Sequence, residues 1–137
     1  MNTFRLTVLS SNRTFFDGDC VSVRIPTSDG FYGVMAHHRN MIAATVPGEI
    51  KYTLPDGDEN IAAISAGIVK VEDNTVLILT ESAERPDEID AVRARRVADE
   101  AKEEMLKRQS VLDYNFAQAK LARSLNRLRV KKHTQKK

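Results

Sequence analysis

The sequence has a single cysteine, Cys20, and no tryptophan among its 137 residues. A lone cysteine cannot form a disulfide within the chain, so we expect a reducing compartment and a small, buried apolar role for Cys20. Only 6% of the residues are aromatic, which does not favour a large aromatic pocket. The sequence contains no run of about 18 apolar residues, which is the length that a membrane-spanning helix needs. Its N-terminal residues lack the apolar segment of a signal peptide. These absences predict a cytoplasmic chain without membrane insertion.

Recognisable catalytic patterns are also missing. The sequence shows no glycine-rich phosphate loop, and no Ser/His/Asp or Cys/His arrangement that would pair a nucleophile with its base. His37 and His38 stand side by side, but they lack an Asp, Glu or Cys at ligand spacing and so do not predict a metal site. We therefore expect a protein that is not an enzyme and requires no metal or cofactor.

Proline and glycine are absent after Pro86, whereas turn sequences recur before it. The uninterrupted stretch favours helices. Before residue 85, short alternating apolar segments are separated by turn pairs such as Asp29-Gly30, Pro47-Gly48 and Asp73-Asn74, a pattern typical of a β-sandwich or barrel. The predicted strands cover residues 4–10, 15–16, 21–25, 30–35, 41–46, 49–54, 60–65, 68–72 and 75–80.

Three further signals refine the predicted strands. Asp17-Gly18-Asp19 reads as a turn after the second strand, and Pro26 is expected to end the third strand. Residues 55–59 combine proline, glycine and aspartate in an order that predicts a hairpin, because proline presets φ and glycine accepts positive φ.

Residues 85–137 predict two helices that fold back on each other. Asp87 is positioned to cap the first helix. Ser110, followed three residues later by Asp113, resembles a capping box, so the helices are expected to join near Gln109-Ser110. The apolar stripes contain Ile89, Val92, Val97, Ala101 and Met105 on the first helix, and Tyr114, Ala117, Leu121, Leu125 and Leu128 on the second. The basic tail, residues 130–137, is expected to fray.

The predicted fold class is α+β, with an N-terminal antiparallel β-sandwich over residues 1–84 and a C-terminal antiparallel two-helix hairpin over residues 85–137. The two parts differ in charge. Residues 1–84 carry 6 Lys and Arg against 11 Asp and Glu, a net charge of −5, whereas residues 85–137 carry 15 against 8, a net charge of +7. The basic half is suited to an acidic partner. One alternative is a nucleic-acid-binding module, although the acidic first half and the missing aromatic platform favour no nucleic acid as a partner.

Motifs spread along the whole chain resemble the epsilon-subunit family of F-type ATP synthases. Besides the first strand, the matching segments are residues 26–33, the loop His37-His38-Arg39-Asn40-Met41, Pro47-Gly48, Ser65-Ala66-Gly67 and Leu128-Arg129-Val130. Their order and spacing carry the resemblance. The chain departs from the family pattern at Arg39-Asn40, where members have Ala-Pro, at Ala66, where they have glycine, and at Phe31, where many have an acidic residue.

The resemblance implies a non-catalytic subunit of the central stalk. Its sandwich would bind the gamma subunit and rest on the c-ring, with Phe31 and His38 at that partner interface. Its hairpin would either fold down or extend toward the alpha and beta subunits of the catalytic head, where it inhibits ATP hydrolysis. The subunit would lie at the cytoplasmic face of the bacterial plasma membrane, as a peripheral part of the complex.

A short motif, Ile89-Asp90-Ala91-Val92-Arg93-Ala94, matches the sequence with which some members of this family bind ATP as a regulatory ligand. Carried over from those members, the residues near the base are Glu84, Ile89, Asp90, Arg93 and Ala94, and the phosphate ligands are Arg93, Arg123 and Arg127. Arg123 and Arg127 are four apart and so share a helix face, where guanidinium groups suit phosphate oxygens. A further basic residue of binding members falls at Glu100, with Arg96 as its nearest substitute. The alternative is an ATP-insensitive subunit with a purely structural coupling role.

Overall fold

The computed structural model describes residues 2–107 and 111–135 of the chain. The described residues form ten strands, one 3₁₀ turn and two helices. In chain order the strands are β1 (Phe4–Leu9), β2 (Thr14–Cys20), β3 (Ser22–Thr27), β4 (Gly30–Met35), β5 (Met41–Thr45), β6 (Gly48–Thr53), β7 (Glu59–Ile64), β8 (Gly67–Glu72), β9 (Thr75–Thr80) and β10 (Ala83–Glu84). The 3₁₀ turn Pro86–Glu88 precedes the helices α1 (Ala91–Lys107) and α2 (Val111–Gln135).

The chain divides into two compact units, Met1–Arg85 and Pro86–Lys137. The first is a β-sandwich and the second a pair of helices, which confirms the predicted α+β class. Hydrogen-bonded neighbours follow the order β10-β7-β6-β3-β5-β8-β9-β1-β2, and β4 pairs with β3 beside this path. One pair departs from the predicted antiparallel pattern, because β1 and β9 run parallel.

β3 links the two layers of the sandwich. It pairs with β4 along its length, with β6 near its start, and with β5 at Thr27 near its end. The layers then close over one apolar core, to which nearly every strand contributes. The largest fully buried side chains of this core are Leu6, Val8, Val23, Ile25, Val34, Ile50, Ile64, Val69, Val71, Val76 and Ile78. Burial of these side chains is the main source of stability of the first unit.

Contacts between strands far apart in the order show that the sheet folds back on itself. The rings of Phe16 on β2 and Tyr52 on β6 lie 4.8 Å apart. On the same side, Val21 N donates to Thr53 O at 2.9 Å, and Arg13 Nη2 donates to Ala83 O at 3.1 Å. These bonds tie β2, at one end of the order, to the strands at the other end.

The local turn signals are confirmed where the turn residues themselves enforce the geometry. Asp73 and Asn74 have φ values of 51° and 60° and join β8 to β9, as expected for a tight hairpin. Gly57 has a φ of 94°, and its N–H donates to Leu54 O in the β6–β7 hairpin. Gly30, with a φ of 109°, closes the turn between β3 and β4.

Two predicted interruptions are wrong. Asp17-Gly18-Asp19 is part of β2 rather than a turn, because β1 pairs with it residue by residue, Leu6 facing Gly18. Pro26 lies inside β3 instead of ending it. A proline in a strand needs a position where its missing N–H is not required, and Pro26 meets this condition while its carbonyl oxygen accepts a hydrogen bond from Val46 N at 3.2 Å.

The limits of the helices also differ from the prediction. Because the 3₁₀ turn occupies Pro86–Glu88, α1 begins only at Ala91, and Asp87 does not cap it. The tail predicted to fray is helical as far as Gln135. Val130 is buried there, and Lys131 Nζ donates to Pro86 O at 3.2 Å, so the end of α2 is held by packing and by a hydrogen bond. The predicted cap at Ser110, the joining turn at Gln109-Ser110 and the residues Lys136 and Lys137 lie outside the described residues.

The predicted apolar stripe of α1 coincides only in part with the face that is buried. Val92 is 82% exposed, whereas Ala94, Ala98 and Ala101 are fully buried. The alanines are four and three residues apart, so they share one helix face. On α2, Ala117, Ser124, Asn126 and Val130 are buried, while Leu125 is 37% exposed. Ile89, Ala101 and Ala117 of the predicted stripes are thus buried, and residues outside the stripes, most of them small or polar, fill the other buried positions.

The two helices form the expected antiparallel hairpin. Glu104 Oε1 on α1 lies 3.8 Å from Lys120 Nζ on α2, and the bond from Lys131 to Pro86 connects the end of α2 with the start of the unit. An exposed ion pair of this length contributes at most about 0.5 kcal/mol. The pairing of the helices therefore rests mainly on the packing of small side chains.

Gly67 offers a test of the sandwich packing. A Cβ built at Gly67 overlaps the carbonyl oxygen of Leu79 and lies 2.8 Å from Thr80 Cα. Because both are backbone atoms of the neighbouring strand, they cannot move aside without breaking its pairing. We predict that Gly67→Ala lowers the free energy of unfolding by about 2 kcal/mol or more, measured by urea denaturation.

The matched control is Gly33→Ala, because a Cβ at Gly33 has no neighbour within 4 Å. We expect its free energy of unfolding to stay within about 0.5 kcal/mol of the wild type. Equal destabilisation by both substitutions would contradict the role given to Gly67.

Candidate functional site

Asp90 caps the start of α1. Its Oδ1 accepts a hydrogen bond from Arg93 N at 3.0 Å, and its carbonyl oxygen accepts one from Ala94 N at 2.9 Å. A carboxylate at this position satisfies an otherwise unpaired amide and interacts favourably with the positive end of the helix dipole. The Asp-x-x-Arg spacing therefore has a structural cause of its own, since the amide that Asp90 caps is that of Arg93.

The members of the predicted ATP motif differ in accessibility. Ile89 and Ala94 are buried, at 4% and 0% exposure, whereas Asp90 and Arg93 are exposed. The buried pair anchors the start of the helical unit. The guanidinium of Arg93 is therefore the accessible cation of the motif, in the first turn of α1.

Arg123 and Arg127 lie on α2 and are half-buried. Both are already engaged in interactions within the chain. The ion pair of Glu104 with Lys120, and the bond of Lys131 to Pro86, set the antiparallel register of the hairpin. This register places Lys131 beside the start of α1, with Arg127 one helix turn and Arg123 two turns further along α2. Ile89, Asp90, Arg93 and Ala94 lie together at the start of the helical unit.

Three further residues bear on the predicted site. Glu84 is half-buried in β10 and belongs to the first unit, not to the helical one. Glu100 and Arg96 are both exposed on α1. At Glu100, where the family resemblance implies a basic residue, the chain presents an exposed negative charge.

The predicted partner interface lies on the sandwich. Phe31, on β4, is 61% exposed, and the guanidinium carbon of Arg24 lies 4.5 Å from the centroid of its ring. Arg24 Nη2 is also 3.7 Å from Glu49 Oε1.

His38 is half-buried in the β4–β5 loop. The centroids of its ring and the Tyr32 ring are 5.9 Å apart in an edge-on contact, and its Nδ1 lies 2.7 Å from Arg39 O.

Asn74 holds this loop in place, a role that the sequence did not reveal. Its Oδ1 accepts a hydrogen bond from His37 N at 2.7 Å, and its Nδ2 donates to Thr3 O at 2.9 Å. His37 itself has a φ of 64°, in the left-handed region where asparagine, aspartate and histidine are enriched among residues other than glycine. In addition, Asn40 Oδ1 accepts from Asp73 N at 3.3 Å. The tight turn before β9 therefore shapes the histidine loop.

The described residues show little catalytic chemistry. They contain no group of three or more His, Cys, Asp or Glu that could hold a metal ion. Burial raises the pKa of the Cys20 thiol to about 11, so it stays protonated and unreactive at neutral pH. The pKa of Asp17 is lowered by hydrogen bonds from Arg5 and Thr7, but Asp17 and Arg5 are exposed on the sandwich surface. In this part of the chain, no helix has the length and apolar character needed to cross a membrane.

Two family models match consecutive parts of the chain. Residues 3–86 match the β-sandwich domain of the ATP synthase delta/epsilon chain, and residues 87–132 match the long α-helix domain of the same chain. The two matches meet close to the border between the units, near the capping residue Asp90.

Individual relatives agree with these matches. An ATP synthase epsilon chain of Ruminococcus albus is 38% identical over 131 residues, which cover 95% of this chain and 97% of that protein. One of Ruminiclostridium cellulolyticum is 37% identical over 128 residues, covering 93% and 95%.

Solved structures share the fold at lower identity. A chain of the Euglena gracilis mitochondrial ATP synthase, in an assembly of OSCP, F1 and c-ring, gives a TM-score of 0.78 at 21% identity, covering 90% of this chain and 78% of that one. A chain of the Tetrahymena thermophila mitochondrial ATP synthase, from its central stalk and c-ring, gives 0.62 at 14% identity, covering 93% and 95%.

The capping role of Asp90 can be separated from a ligand role by substitution. We predict that Asp90→Ala weakens the first turn of α1 by about 1 kcal/mol, because the amide of Arg93 loses its acceptor. Amide hydrogen exchange in that turn should then rise about fivefold. Asp90→Ser, which keeps a capping oxygen but removes the carboxylate, should restore most of the protection. Equal exchange in the alanine variant and the wild type would contradict the cap.

Proposed function

This chain belongs to the ATP synthase delta/epsilon chain family, as a non-catalytic epsilon subunit of the central stalk. From this premise we propose that it joins gamma to the c-ring and regulates ATP hydrolysis through its hairpin. The family matches over residues 3–86 and 87–132 are the observation that carries the proposal. Both parts of the chain that the function needs, the sandwich and the helical pair, are present in the structure.

The sandwich is the proposed stalk-binding part. The Tetrahymena assembly that contains a chain of similar fold comprises the central stalk and c-ring, which supports gamma and the c-ring as partners. We assign Phe31 and His38 to this contact on the family resemblance; Phe31 lies on β4 and His38 in the loop that follows it. Phe31 offers a large exposed apolar ring, and the His38 loop is held rigid by Asn74.

The helical unit is the proposed regulatory part. Its buried positions on α1 are alanines, which bury less apolar surface than the large side chains of the sandwich. The ion pair between Glu104 and Lys120 is long and exposed and so contributes little. We propose that this marginal hairpin opens and extends toward the alpha and beta subunits of the catalytic head, where it inhibits hydrolysis.

ATP is the proposed regulatory ligand of the folded hairpin. Residues 85–137 carry a net charge of +7, which suits a polyphosphate. Arg93 is exposed beside the positive end of the α1 dipole, and Arg123 and Arg127 share a face of α2. Guanidinium groups bind phosphate oxygens with two parallel hydrogen bonds. Arg123 and Arg127 would exchange their present partners for phosphate.

A ligand that binds only the folded hairpin shifts the equilibrium by mass action. At one hundred times its dissociation constant it adds about 2.7 kcal/mol to the folded state. High ATP would therefore hold the hairpin down and relieve inhibition, and low ATP would release it.

Glu100 opposes binding, because a surface carboxylate near the phosphates repels them. An ATP-insensitive subunit with a structural role alone is the second candidate, favoured by Glu100 and by the capping role of Asp90. In either form we place the subunit at the cytoplasmic face of the bacterial plasma membrane, as a peripheral part of the complex.

Co-purification with the cognate gamma subunit tests the stalk role. We predict that the wild-type chain stays bound to gamma through affinity purification, and that His38→Ala weakens binding about tenfold because it removes a side chain from the interface. The neighbouring substitution His37→Gly is the control, since glycine accepts the positive φ of this exposed position. Consistent failure of the wild-type chain to bind gamma would refute the stalk assignment.

Titration calorimetry of the intact chain with ATP tests the sensor role. We expect binding at or below millimolar ATP, weakened at least tenfold by Arg93→Ala and by Arg127→Ala, because each substitution removes a phosphate ligand. Arg95→Ala is the matched control, since Arg95 is an exposed arginine of α1 outside the proposed site. No heat at several millimolar ATP would sink the sensor proposal and leave the stalk role standing.

A further inference from the structure

β4 is an edge strand with two large apolar side chains on its outer face. Within the described ranges it pairs with β3 and with no other strand. Phe31 and Met35 are 61% and 66% exposed, and Gly33 is exposed between them. An exposed apolar edge is a template for another strand, and proteins normally shield such edges.

The main-chain groups of Phe31 point to this free edge. Pro26, the residue opposite Phe31 on β3, has no N–H. Its carbonyl oxygen accepts a hydrogen bond from Val46 N, on the side of β3 away from β4. Pro26 and Phe31 therefore exchange no hydrogen bonds. Bonded and non-bonded pairs alternate along an antiparallel ladder, so the same holds for Gly33 and Met35. The N–H and C=O groups of all three residues point away from β3.

No contact among the described residues requires glycine at position 33. A Cβ built there has no neighbour within 4 Å, and its φ is not positive, in contrast to that of Gly30. A glycine inside a strand often marks the close approach of another backbone. The open side of Gly33 is the same exposed face that carries Phe31 and Met35.

The outer face beside β4 is balanced in charge. Arg24 lies 3.7 Å from Glu49, and Lys51 lies 3.2 Å from Glu59. Arg24, Lys51, Glu59 and Phe31 border a shallow groove of about 410 Å³. A face of one sign repels an identical face, whereas a face of paired charges does not.

We propose that β4 pairs antiparallel with β4 of a second copy of this chain, about a two-fold axis at Gly33. The strand is self-complementary about this residue, because Phe31 and Met35 lie equally far from it on either side. The axis places Gly33 opposite the partner's Gly33, and Phe31 opposite the partner's Met35. The outward main-chain groups then bond across the axis, and each methionine sulfur meets a phenylalanine ring, a favourable contact. Interfaces of this two-fold kind are the commonest among homo-oligomers.

The dimer is weak and belongs to the free subunit. One strand of six residues buries less than the roughly 1,000 Å² of a stable interface, so we expect a dissociation constant of roughly 100 μM. Phe31 is also assigned to the stalk contact, so dimerisation and stalk binding would exclude each other. That exclusion rests on the proposed function, but the pairing of β4 does not.

Sedimentation of the intact chain between about 10 μM and about 1 mM tests the pairing. The weight-average mass should rise toward twice the monomer mass across this range. Gly33→Asp places two carboxylates face to face at the axis and should leave the chain monomeric, and Gly33→Lys should do the same with two ammonium groups. An equimolar mixture of the two variants should associate at least tenfold more tightly than either variant alone. Such a rescue requires the two copies of residue 33 to lie close together in the dimer.

Ile42→Lys is the control, because Ile42 is a 71% exposed residue on another strand, β5. It should dimerise like the wild type, and far-ultraviolet circular dichroism checks that every variant is folded. The proposal is overturned if the wild-type chain stays monomeric throughout, if Gly33→Asp associates like the wild type, or if the mixture does not associate. Binding to gamma is measured separately, so failure of the stalk role and failure of the dimer are distinguishable.

Discussion

The hydrogen bonding of β3 on both of its sides is the constraint from which the sandwich and its surfaces follow. One side of this strand pairs with β4 and the other with β6 and β5, while Val23 and Ile25 point into the core. A strand committed in this way cannot shift register without exposing its buried side chains. The position of β4 is therefore set by the core, and the exposed ring of Phe31 and the loop after β4 are carried on a rigid support.

The two units obtain their stability by different means. The sandwich buries branched aliphatic side chains from nearly every strand, and such burial stabilises strongly. The helical unit buries alanine, serine and asparagine at many of its inner positions and depends on local devices such as the cap at Asp90 and the bond from Lys131 to Pro86. This difference in stability supports the proposed function, in which the sandwich binds the stalk and the hairpin switches.

Sequence reasoning succeeded where a few neighbouring residues decide the structure. Asp73-Asn74 and Gly57 tolerate the positive φ that their hairpins need, so those turns were predictable. It failed at Asp17-Gly18-Asp19, because pairing with β1 overrides the local turn preference. The start of α1 was missed because Asp87 and Asp90 are both good caps, and only the intervening 3₁₀ turn decides between them.

The candidate site likewise has features that local sequence predicts and features that only the fold reveals. The shared face of Arg123 and Arg127 follows from helical spacing alone. The dependence of the His37 loop on Asn74 does not follow from the sequence, because the two residues are 37 positions apart in the chain and only the fold brings them together. The burial of Ala94 in place of Val92 is likewise a property of packing that hydrophobic periodicity does not resolve.

The cap at Asp90 gives the hairpin a mechanical property. Its hydrogen bonds lie entirely within residues 90–94, so α1 keeps its N-terminal anchor whether or not α2 lies beside it. A helix rises about 1.5 Å per residue, so the 17 residues of α1 form a stiff arm roughly 25 Å long, and the 25 residues of α2 one of roughly 37 Å. Laid end to end, the two arms reach on the order of 60 Å from a fixed pivot. In the proposed opening of the hairpin, a small change in the free energy of helix pairing would therefore produce a displacement larger than a domain of this size.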